Sequence, residues 1–104
     1  MRIVIRDRNG AVPEPVRRGI ERKLAQLNRH LDLLAEAEVE LDREAQRSGR
    51  PVHVVEITVR GIAPHLRAVR ATESGRDLSN VIDLALDKLD REILKLKERL
   101  KSHP

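Results

Sequence analysis

A chain of 104 residues, 39% hydrophobic and 37% charged, is long enough for one domain and one core but not for two. It contains no cysteine and no Phe, Tyr or Trp, which excludes disulfides, thiolate catalysis, thiolate metal sites and modules that stack bases on aromatic rings. The net charge of +4 points to an anionic partner, and no run approaches the ~20 apolar residues that span a bilayer.

In chain order, Arg2 to Arg6 alternate Ile3 and Ile5 against charged ends and predict a strand at about 2–6. The same stretch has only three consecutive apolar residues between charges, too few for a signal peptide, so a cytoplasmic location is expected. "DRNGAVPEP" breaks the strand, and Pro15 suits a first helical turn. Val16, Ile20, Leu24, Leu27, Leu31 and Leu34 then recur at helical spacing and predict a helix over about 14–34. Arg18, Arg22 and Arg29 point away from its apolar face, with Lys23 and His30 beside them.

"EAEVELD" alternates Ala37, Val39 and Leu41 with Glu36, Glu38, Glu40 and Asp42, which predicts a half-buried strand at 36–42 with an acidic solvent face. A polar connector, "REAQRSGRP", leads to a strand at about 52–60 with Val55, Ile57 and Val59 inward. "IAPH" turns the chain into a weaker strand at about 66–73. Asp77 is the expected N-cap of a last helix, about 78–101. The order β-α-β-β-β-α predicts an α+β two-layer sandwich, a four-stranded sheet with two helices packed on one face.

The last helix, "NVIDLALDKLDREILKLKERLKS", places Ile82, Leu86, Leu89, Ile93, Leu96 and Leu100 on one face. Four strands need covering, so this face reads as core in preference to a coiled-coil seam. Lys88, Arg91, Lys95 and Arg99 form a second stripe, while Asp83, Asp87, Asp90 and Glu98 gather on the remaining flank. With both helices on one side of the sheet, their outer faces are expected to join into one broad basic surface, and the acidic strand to face the other way. Such polarity suits a polyanion whose phosphates meet Lys and Arg along a helix.

Catalysis is not expected. No Ser/His/Asp or Cys/His set and no glycine-rich phosphate loop is present, and His30, His53, His65 and His103 are dispersed, so no metal site, cofactor or small-molecule substrate is expected either. Two other readings are a generic binder of double-stranded RNA and a module in which the last helix pairs with a protein partner.

The chain resembles the bacterial ribosome hibernation-promoting factors and ribosome-associated inhibitors. The resemblance covers nearly the whole chain and is sharpest in "DLSNVIDLALDKLDREILKLKERLK", at Asp77, Ile82-Asp83, Asp87-Lys88-Leu89, Arg91, Lys95, Lys97 and Lys101. "PVRRGIERKLAQLNRHLD" is similar to the family's first helix, and "RATESG" to the strand end before the last one. The resemblance implies a translation-silencing stress factor that occupies the mRNA and tRNA channel of the small ribosomal subunit and meets 16S rRNA phosphates. By position it implies RNA contacts at Lys88, Arg91, Lys95, Lys97 and Lys101, then at Arg18, Arg22 and Lys23 of the first helix, and the basic stripes add Arg99 and Arg29 as expected RNA-binding residues. Three features depart from the pattern: His30-Leu31 stand where an aromatic pair is common, Ser79 where Tyr is, and "GIAPHLR" is longer than usual. A short form and the ribosome-binding domain of a long form both fit the sequence.

Overall fold

The structure, a computed structural model, describes residues 1–27, 34–47, 49–61 and 68–102, the last three as helical backbone. In β1 (Arg2–Asp7) Ile5 is buried while Arg2 and Arg6 are exposed, as its alternation dictates. The strand ends in a turn where the Asn9 N–H donates to Asp7 Oδ1 at 2.8 Å, and Gly10 takes φ +147, a value that disfavours any side chain. Pro15 then sits in the first turn of α1 (Glu14–Leu27), which buries Ile20, Leu24 and Leu27.

The expected end of this helix at 34 is corrected. Leu34 opens β2 (Leu34–Glu44), and residues 28–33, with Arg29, lie outside the described residues. Leu34 is three residues from Ala37, so strict alternation would put the two on opposite faces. An irregularity in the register between Leu34 and Glu36 turns both inward, and this misled a reading based on period alone. β3 (Val52–Gly61) buries Val55, Ile57 and Val59. The fourth strand, expected at 66–73, is β4 (Val69–Gly75); it starts after Ala68, with residues 66–67 outside the described set. The last element is α2 (Leu78–Ser102).

The sheet order is β1-β2-β3-β4, with β1 parallel to β2 and the other pairs antiparallel. A parallel pair needs a crossover, and α1 supplies it. Both helices press onto one face. Val39, Val55, Ile57 and Val59 from the sheet meet Ile20 and Leu24 of α1 and Leu89 and Ile93 of α2 in one core without aromatic rings. The expected two-layer β-α-β-β-β-α architecture is the one found.

Asp77 caps α2: its Oδ1 accepts the Ser79 N–H at 3.1 Å, and its carbonyl accepts the Val81 N–H at 3.0 Å. Just before it, a Cβ on Gly75 would lie 2.9 Å from Val81 Cγ2. Val81 is buried and β-branched, so it has no easy rotamer to retreat to. Gly75→Ala is therefore expected to destabilise the domain by about 1–3 kcal/mol, the usual cost of overpacking. Urea denaturation checks it, and an unchanged midpoint would show that β4 and α2 are not held this close.

Candidate nucleic-acid interface

The basic flank of α2 lies on its β4 side. Lys88 fixes that orientation, its Nζ standing 3.8 Å from Glu73 Oε1 of β4. Lys95, about one turn on from Arg91, pairs with Glu92 of the same helix at 3.3 Å. Arg91 and Arg99 are exposed, and Arg91 makes no ion pair among the described residues. Lys97 belongs elsewhere. It continues the row of Asp83 and Asp90 in seven-residue steps, on the opposite flank from Lys88, and is only half-exposed. Lys101 is placed as helical backbone only.

On α1, Arg18 and Arg22 are exposed, with Arg18 Nε 3.2 Å from Glu14 Oε1 one turn earlier. Lys23 does not join them. It turns toward α2, where its Nζ pairs with Asp83 Oδ1. The two helices run side by side in the same direction: Val16 and Gly19 lie across from Leu78 and Ile82, and Gln26 and Leu27 across from Leu86 and Asp87. The acidic flank of α2 thus faces α1 across a cleft of about 410 Å³ lined by Asp83, Asp87, Asp90 and Lys23.

The single broad basic surface expected from the sequence is therefore corrected. Two cationic strips, Arg18 and Arg22 on α1 and Lys88, Arg91, Lys95 and Arg99 on α2, flank an acidic cleft. The reason is the angular position of the aspartates, which point at the neighbouring helix once the two helices are parallel.

The sheet's open face is also more balanced than β2 alone implies. Register sets Arg2 opposite Glu36 and Arg6 opposite Glu40, Arg60 Nη1 lies 3.3 Å from Glu38, and Arg70 Nε lies 3.6 Å from Glu56. Arg8 pairs with Glu40 and reaches Asp42 at 4.0 Å. The hydrogen bond to Glu40, then the charges of Glu40 and Asp42, raise the pKa of Arg8, which stays charged at every ordinary pH. Arginines on and just after β1 and on β3 thus bracket the acidic row of β2, while Arg70 of β4 pairs with Glu56 of β3. These arginines were not among the sequence-based candidates; only strand register brings them to the carboxylates. No group of three or more His, Cys, Asp or Glu among the described residues is placed to hold a metal ion, and no described helix is long and apolar enough to cross a membrane.

The profile of the family described as Sigma 54 modulation protein / S30EA ribosomal protein matches residues 3–101. The chain belongs to this family. It is 36% identical over 94 residues to the ribosome hibernation promotion factor of Deinococcus radiodurans, covering 88% of this chain and 47% of that protein. It thus spans about half the length of that relative. Among solved structures, the N-terminal domain of Protein Y from Thermus thermophilus is 30% identical with a TM-score of 0.75, covering 92% of this chain and 99% of that one. A ribosomal subunit interface protein from Coxiella burnetii, 18% identical, shares the fold with a TM-score of 0.78, over 94% of this chain and 99% of its own. All three come from bacteria, and the Deinococcus and Coxiella proteins carry the ribosome in their names.

Proposed function

We propose that this S30EA-family domain is a non-enzymatic, cytoplasmic ribosome hibernation module that binds the small ribosomal subunit and blocks translation from the mRNA and tRNA channel. Its cations meet 16S rRNA phosphates, and the names of its relatives support the ribosome as target. The observation that carries the RNA contact is the β4-side flank of α2. Lys88, Arg91, Lys95 and Arg99 project from a helix whose opposite face is sealed into the core, so their charges are held in a fixed row at no expense to packing. A row of this kind binds by releasing counterions, with little reading of base sequence.

The test is co-sedimentation with purified small subunits, large subunits and a plain RNA duplex across a salt series. Selective pelleting with small subunits that weakens steeply as salt rises is expected. Equal binding to the duplex would replace this reading with generic RNA binding, and salt-insensitive association would point to a protein partner.

A further inference from the structure

We infer that Lys23 is a positioning residue: it ties α1 to α2 through Asp83 and sets the spacing of the two cationic strips, and it contacts no phosphate itself. This inference rests on the proposed RNA-binding role of those strips.

The geometry separates Lys23 from Arg18 and Arg22. Arg22 is its immediate neighbour, yet the ~100° step of a helix sends the two side chains in different directions. Arg22 is exposed on the outer side of α1, while Lys23 reaches across to Asp83. Lys23 also divides the space between the helices. On one side lies the acidic cleft with Gln26, Asp87 and Asp90; on the other lies a mainly apolar groove of about 290 Å³ with Val16, Gly19, Ile20 and Ile82. Among the described residues it is the one lysine or arginine lining either space. Its charge is thus committed to a carboxylate within the protein and is not offered to an external phosphate.

The same contact has an electrostatic consequence. Phosphates bound along Arg22 and along Arg91 would approach the cleft from both sides, and Lys23 lowers the negative charge there by pairing with Asp83. Removing Lys23 leaves Asp83, Asp87 and Asp90 between the strips without it, so RNA binding suffers through spacing and repulsion together. Both effects leave the number of phosphate contacts unchanged.

That last point makes the idea measurable. Affinity for small subunits is measured across a salt series for Lys23→Ala, Arg22→Ala, Lys23→Arg, Asp83→Lys and the exchanged pair Lys23→Asp with Asp83→Lys. Lys23→Ala is expected to weaken binding by about two- to fivefold, the scale of an exposed ion pair, with the salt slope intact. Arg22→Ala should lower that slope by about 1, as a lost phosphate contact does. Lys23→Arg should keep wild-type affinity, and the exchanged pair should bind more tightly than Asp83→Lys alone; no gain from the exchange would mean that Lys23 does not act through Asp83.

A readout independent of the ribosome completes the test. The chain has no cysteine, so spin labels at Ala25→Cys on α1 and Leu84→Cys on α2 report the helix separation without background. With Lys23→Ala the distance distribution should broaden or lengthen, and the exchanged pair should restore it. A drop of about 1 in the salt slope for Lys23→Ala, with an unchanged distance distribution, would overturn the inference and make Lys23 a phosphate ligand. If the wild-type domain fails to bind small subunits, the proposed function falls, while the spin-label distances still decide whether Lys23 sets the helix spacing.

Discussion

Replacing Lys88, Arg91 and Lys95 together by Glu is expected to lower affinity for small subunits by at least about 100-fold at physiological salt, because under the proposed function three phosphate contacts become three repulsions. The fold should survive. Lys95 is 62% exposed and, among the described residues, pairs with Glu92 in the same helix, while Lys88 is 46% exposed beside Glu73. Pairs this open contribute at most about 1 kcal/mol each, and Glu forms helix almost as readily as Lys. Co-sedimentation measures the binding loss, and circular dichroism with a thermal melt measures the fold. A triple variant that stays folded and still pellets with small subunits would reduce this row of charges to ordinary solvation. The single variants should not be equal. Arg91 has no acidic partner among the described residues, whereas Lys88 and Lys95 must first leave theirs, so Arg91→Ala should cost the most.

How much of this was legible in the sequence depends on the range of the interaction. Each strand that alternates cleanly, and the core face of α2, follow from period alone, since a side chain's face is set by its neighbours two to four residues away. The basic row of α2 was legible for the same reason. Leu34 was misread because an irregularity in the strand register defeats a period-based argument: it kept the helical phase of Leu27 and Leu31 yet belongs to β2. The continuous basic surface failed for a different reason. Helical spacing placed Asp83, Asp87 and Asp90 together but could not say which way that flank would look. Only the side-by-side packing of α1 and α2 turns it inward and brings Lys23 to Asp83. The arginines that bracket β2 were likewise hidden, because cross-strand partners such as Arg60 and Glu38 are far apart in the chain and meet only through register.

Leu89→Ala is expected to cost about 2–5 kcal/mol, since Leu89 is fully buried among aliphatic neighbours and its loss leaves a cavity that they cannot refill. For a domain of this size that lowers the melting midpoint by about 8 °C or more. The matched control is Leu84→Ala, five residues earlier on the same helix and 44% exposed, where a change within about 0.5 kcal/mol is expected. Helix propensity shifts equally in both variants, so the difference between them isolates burial. Equal losses would mean that α2 does not present the Leu89 face to the sheet. The comparison also bears on function, because the rotation of α2 that buries Leu89 is what carries Lys88 and Arg91 to the β4 side. Measured well below its own midpoint, Leu89→Ala should still bind small subunits, as its folded fraction keeps that rotation. Binding lost in proportion to charge and stability lost in proportion to burial would then be separable on a single helix.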